Sequence, residues 1–222
     1  MLVRRFVNAS FRLLMREKWK REYCEDYNRI LTHSGGPLWL VSALNFGASA
    51  YDQSSPNDAR VPVSLGYHLA DIYLEELDKV LKTQMEGEET KDLTPTPLKL
   101  LLSPFFVLAA RTTSKHSYER IASAVLNPLF EAFSTRSDPL PSQKRQRLSG
   151  NDYHALVQLS CLSNAEEDSL RKETLRKALL RSIFDVASEQ ETRDSNRRRL
   201  YAFWRSHMED EDERSSNKIM DT

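Results

Sequence analysis

The chain has 222 residues, enough for one domain or one domain with extensions. Lys+Arg and Asp+Glu balance at 32 each, so net charge points to no class of partner and the distribution along the chain has to be read instead. Gly numbers only 6, the two cysteines (Cys24 and Cys161) lie far apart, and no apolar run reaches the ~18 residues of a membrane span. This composition favours helices, argues against a metal or redox motif built on cysteine, and fits a reducing compartment. Arg12 and Arg16 interrupt any secretory apolar stretch.

Residues 1–18 read as a helix, with Leu2, Val3, Phe6, Val7, Phe11, Leu14 and Met15 on one stripe. Over residues 1–22 seven Lys/Arg stand against two Glu, a local net of +5. Arg4, Arg5, Arg12 and Arg16 are therefore candidates for contact with RNA phosphate or an acidic partner; a solvated face is the plain alternative. Residues 19–31 form a second helix with Trp19, Tyr23, Tyr27 and Ile30 toward a core, pairing with the first as an αα-hairpin. The turn His33-Ser-Gly-Gly-Pro37 ends it. The stretch 38–60 is apolar in its first half, without a clean period, and closes in the turn chemistry of Ser-Ser-Pro-Asn-Asp.

Residues 61–81 carry the chain's central amphipathic helix. Leu65, Leu69, Ile72, Tyr73, Leu77, Val80 and Leu81 keep one-face spacing, and Ser64 is placed to cap. His68 lies beside the stripe and reads as a packing residue. Asp71, Glu75, Glu76 and Asp78 occupy the other face and are candidates for an acidic, protein-binding surface. A polar loop and a Pro-rich lead-in follow. Residues 98–113 are apolar on nearly every side, as a core helix is; Pro104 either kinks this helix or marks its start with Ser103 as cap. Ser117 is placed to cap a helix from Tyr118 to Phe133, with an irregularity expected near Leu126 because of Pro128.

Residues 134–165 have linker composition, with a basic cluster of Lys144, Arg145 and Arg147 (a nuclear-import address or an RNA contact) and a short helix from Tyr153 to Leu162. Residues 166–207 hold two further helices as a C-terminal extension, and 208–222 read as an acidic, disordered tail. Helices follow one another with no strand-like alternation. The expected fold is all-α, stacked antiparallel helical hairpins of the HEAT/armadillo-like kind, with residues 1–133 as the core domain.

No Gly-rich phosphate loop, nucleophile elbow or His-Glu-x-x-His motif is present, and the five histidines are isolated from one another. No catalytic, cofactor-binding or metal-binding residues are nominated, and no cofactor, membrane or small-molecule substrate is expected.

The runs MLVRRFVNASFRLL, EDYNRILT, VPVSLGYHLADIYLEELDKV, LLSPFFVLAARTTSKHSYERI, VLNPLFEAF and TRDSNRRRLYAFWRSH occur in this order. Together they resemble the eukaryotic ribosomal RNA-processing protein 1 family. That resemblance implies an all-α, helical-repeat-like domain in a non-catalytic factor of the nucleus and nucleolus. Such a factor is needed for pre-rRNA processing and is bound in precursors of the large ribosomal subunit, with pre-rRNA, ribosomal proteins and other assembly factors as partners. The family's domain begins before the MLVRRF helix, and relatives pass more directly from the Gly-Gly-Pro turn to VPVSL. Residues 38–53 therefore read as an insertion or an error in the gene model. The competing function is a general helical-repeat adaptor between proteins, with no RNA role.

Overall fold

The computed structural model describes residues 2–33, 63–86, 95–133, 153–161 and 168–220. Residues 38–53 and the Lys144, Arg145, Arg147 cluster lie outside them. The described residues are helical, without strands, and form an all-α, helical-repeat-like arrangement. The helices are α1 (Leu2–Arg16), α2 (Arg21–His33), α3 (Val63–Met85), α4 (Leu98–Arg111) and α5 (Lys115–Ile121), then a π-helical turn (Ala122–Leu126) and α6 (Asn127–Phe133). The chain continues with α7 (His154–Ser160), α8 (Asp168–Ser188) and α9 (Asp194–Met220).

α3 is the hub. It packs against α1, α5, the π-helical turn and α7, while α2 lies on α4, α4 on α8, and α8 on α9. Four rings tie the first four helices together edge to face. Phe11 meets Tyr27 at 5.8 Å and Tyr73 at 5.0 Å between ring centres, and Tyr73 meets Phe105 at 4.6 Å. Burial pushes the Tyr27 and Tyr73 hydroxyls up.

Helix boundaries follow local chemistry, and several differ from those expected. Lys18 and Trp19 both take φ 53°, so the chain turns there and α2 starts at Arg21 rather than at Trp19. Trp19 still reaches the core, whereas Tyr23 is exposed with the Lys20 ammonium over its ring. Ser64 lies inside the first turn of α3 rather than capping it. Ser114, not Ser117, caps α5: its hydroxyl accepts from the Ser117 N–H at 3.2 Å. The irregularity ahead of Pro128 takes the form of the π-helical turn, closed by the Asn127 N–H on the Ala122 carbonyl.

Pro104 neither starts α4 nor interrupts it; the helix runs from Leu98 to Arg111 with Pro104 buried within it. Proline has no N–H for the carbonyl four residues back, that of Leu100. That oxygen accepts instead from Asn28 Nδ2 of α2 at 2.5 Å and from Ser103 Oγ at 2.9 Å. The next carbonyl, Leu101, accepts from the Tyr73 hydroxyl at 2.7 Å.

The C-terminal helices are part of the same core. Leu156, Leu159, Leu179, Leu180, Ile183, Ala187 and Leu200 belong to one buried cluster with the residues of α1 to α6. This revises the expected organisation, in which 134–165 was linker and 166–207 an extension. Residues 208–220, expected to be a disordered tail, continue α9 as far as Met220.

Candidate functional site

Sequence reasoning placed a basic helix and an acidic helix face toward different partners. The structure turns part of each toward the other. α1 crosses α3 so that Arg4 forks onto Glu75, Nη1 to Oε1 at 2.7 Å and Nη2 to Oε2 at 2.9 Å. The same Nη1 reaches Glu76 Oε1 at 3.0 Å, and Asn8 Nδ2 donates to Glu76 Oε2 at 2.8 Å. Lys79, one turn on, donates to Glu75 at 2.5 Å and to Glu76 at 3.1 Å. Two cations and an amide thus answer two carboxylates. The hydrogen bond from Arg4 holds the Glu75 carboxyl below the usual carboxylate range, and the Glu75 partner raises Arg4 and Lys79.

The other two acidic residues are also occupied. Asp71 pairs with Arg120 of α5. Asp78, 1% exposed, accepts the Leu156 N–H at 3.0 Å and holds Lys82 at 2.9 Å. Leu156 lies in the first turn of α7, whose N-cap, Tyr153, is left-handed at φ 40° and makes no side-chain cap bond. Asp78 does the capping from the neighbouring helix.

The expected acidic docking surface is therefore corrected. Glu76 is 3% exposed and Asp78 1%, and all four carboxylates serve packing between helices. The physical reason is the number of neighbours: a helix enclosed on several sides must bury part of its polar face, and a buried charge persists only when paired. His68, read as a packing residue, is exposed.

The basic set divides. Arg4, its side chain 40% exposed, turns onto α3, whereas Arg5, Arg12 and Arg16 point outward. Arg12 Nε donates to Asn8 Oδ1 at 2.8 Å, and Arg16 lies 3.9 Å from Glu17. Beside them Leu2 and Leu13 are 61% and 51% exposed. The Leu2 exposure departs from the expected stripe, and Leu13 was not on it. At the C-terminal end Arg197 grips the end of α8, donating to the carbonyls of Ala187, Glu189 and Thr192. Arg199 lies over the Tyr118 ring at 5.0 Å. Asn196 donates to the Ala110 and Thr112 carbonyls at the end of α4. These three roles were not legible in the basic run, since each depends on which helix end lies opposite.

Among the described residues no group of three or more His, Cys, Asp or Glu could hold a metal ion. No helix among them is long and apolar enough to cross a membrane. Cys24 and Cys161 are both buried, and burial pushes the Cys24 thiol up to about 11.

The described residues thus define an all-α, helical-repeat-like body in which the carboxylates of α3 pair with neighbouring helices and α1 carries exposed arginines. The chain belongs to the family described as "Nucleolar protein, Nop52", whose family model matches residues 1–218. It is a nucleolar protein. It is similar to the "Ribosomal RNA processing protein 1 homolog" of Dictyostelium discoideum, 26% identical over 200 residues. That match covers 90% of this chain and 36% of the relative, so the chain spans about a third of that protein's length.

Proposed function

We propose that this chain is a ribosomal RNA-processing factor that acts without catalysis, as a helical scaffold within precursors of the large ribosomal subunit. The observation that carries this reading is membership of the nucleolar family across residues 1–218, joined by similarity to a protein named for ribosomal RNA processing. The use of the polar side chains supports a scaffold. Asp71, Glu75, Glu76 and Asp78, the densest run of carboxylates on α3, are each paired with a neighbouring helix instead of converging on a cleft. Chemistry on phosphodiesters calls for carboxylates gathered around a metal or a reacting group. A processing defect would then follow from failed assembly. Pre-rRNA, ribosomal proteins and other assembly factors are the partners this role requires.

The test is sedimentation of a tagged chain in nuclear extract, with pre-rRNA probed in cells that depend on it. Co-migration with large-subunit precursors, and accumulation of unprocessed pre-rRNA on depletion, are the expected results. A chain that stays at the top of the gradient while processing is normal would overturn the reading.

A further inference from the structure

α8 and α9 close the core with Leu179, Leu180, Ile183, Ala187 and Leu200, all 0–1% exposed. Three rings lie outside that seal. Phe184 of α8 meets Tyr201 and Trp204 of α9 at 5.4 and 5.1 Å between ring centres, tilted at 44° and 52°. All three are half-buried, so each keeps part of its surface toward solvent. Guanidiniums stand on both rims. On α8, Arg181 lies one turn before Phe184 and over its ring at 5.6 Å; its side chain is 72% exposed and pairs with Asp185. On α9, Arg198 and Arg205 lie one turn before and one turn after Tyr201, and both are exposed. Among the described residues neither of these two pairs with a carboxylate.

We propose that this aromatic strip between α8 and α9 is a binding site for single-stranded RNA. Bases would stack on the open parts of Phe184, Tyr201 and Trp204, and Arg198 and Arg205 would hold the phosphates to either side. Three features select this ligand. Half-open rings take the face of any base, a contact that a paired and stacked duplex does not offer. A guanidinium without a carboxylate partner is available to a phosphate. The rings lie between the guanidiniums along one flank of α9, which suits a strand of alternating bases and phosphates. The acidic run from Glu209 to Glu213 follows on α9 and repels phosphate, which confines the strand to the first half of that helix. This site rests on the pre-rRNA partnership proposed above and gives it a location.

The test uses the full chain and a labelled, unstructured single-stranded RNA oligonucleotide, with binding read by fluorescence anisotropy. The same sequence as a duplex and a Glu-rich peptide are the competing probes. The expected result is salt-dependent binding of the single strand, preferred over the duplex by about tenfold or more. Arg198→Gln with Arg205→Gln should weaken it and lower the slope of log affinity against log salt by about 1.4, at about 0.7 for each phosphate contact. Phe184→Leu should weaken it about fivefold or more and leave that slope unchanged. Tyr201→Leu reads the stacking a second time if Phe184→Leu fails to fold by circular dichroism. Lys20→Gln with Lys99→Gln makes the same charge change at exposed positions elsewhere and should leave affinity within about twofold. Equal affinity for the duplex, an equal loss in the lysine control, or ring variants that bind as the wild type does overturns the proposal. So does a Glu-rich peptide that binds more tightly than the RNA and is lost with the same arginines. Sedimentation of the wild-type chain with ribosomal precursors reads the scaffold role separately, so the two ideas fail independently.

Discussion

Glu75 and Glu76 are neighbours in sequence and in one salt-bridge network, yet removing them has different consequences. The Glu75 side chain is 26% exposed and that of Glu76 4%. Glu76→Ala removes a nearly buried carboxylate and takes from the Asn8 amide its acceptor, and should cost about 1–3 kcal/mol. Glu75→Ala leaves cations that water can reach, and should cost about 0–1 kcal/mol. Urea melts of the two variants check the order. The network also has a pH signature. The Glu75 carboxyl is depressed in the folded state, chiefly by the Arg4 hydrogen bond. Its contribution is present above the ordinary carboxylate pKa of about 4.3 and is lost as pH falls through the lower folded value. The stability gap between wild type and Arg4→Met should therefore be widest near neutrality and shrink below about pH 4, measured by melts at fixed ionic strength. For the same reason Arg4 does not belong among residues changed to probe outside binding: its loss weakens the α1–α3 contact itself. Arg5, Arg12 and Arg16 are the informative set.

At the scale of single helices, the apolar stripes were legible and the polar accommodations were not. Val7, Phe11 and Leu14 of α1 and the run from Leu69 to Leu81 in α3 are buried as their spacing requires. Spacing gives the preferred inward direction, but not how many neighbours a helix has, which is why the carboxylates of α3 looked free. Pro104 shows the same limit. Its sequence context offers Ser103 as a cap, and only the position of Asn28 shows that α4 continues. This makes a coupled prediction. Asn28→Ala should cost about 1–2 kcal/mol with Pro104 present, and markedly less with Pro104→Ala, whose backbone N–H can serve the Leu100 carbonyl. A double-mutant cycle by chemical denaturation measures the coupling, and strictly additive costs would count against this account of the proline. Asp78 invites a similar test. Asp78→Ala removes the carboxylate that accepts the Leu156 N–H at the start of α7, so exchange of the Leu156 amide should accelerate well ahead of amides in α3.

For the whole molecule, the decisive difference lies in where the domain ends. Composition suggested a core closing at Phe133, followed by linker and extension, because the polar run after it resembles a boundary. Burial does not stop there. α4 lies between α2 and α8, and the α8 residues Leu179, Leu180, Ile183 and Ala187 are all 0–1% exposed. The junction is also polar. Asn196 and the Arg193 N–H satisfy the Ala110 carbonyl, Asn196 also takes that of Thr112, and Arg111 reaches Glu189 at 3.0 Å. Cutting at residue 133 would strip α8 from α4, a helix whose Leu98, Leu101, Leu102, Ala109 and Ala110 are all 0–1% exposed, and would orphan carbonyls at the end of α4. Each large apolar side chain so uncovered forgoes roughly 1.5–3 kcal/mol of burial, against a net stability of about 5–15 kcal/mol for a typical domain. Residues 1–133 alone should therefore lack a cooperative thermal transition and bind a hydrophobic dye, while the chain to residue 220 melts cooperatively. The complementary experiment supplies residues 150–220 as a separate chain. If the two fragments associate and recover the cooperative transition, the C-terminal helices complete the core; a sharp melt from 1–133 by itself would instead restore the boundary at Phe133.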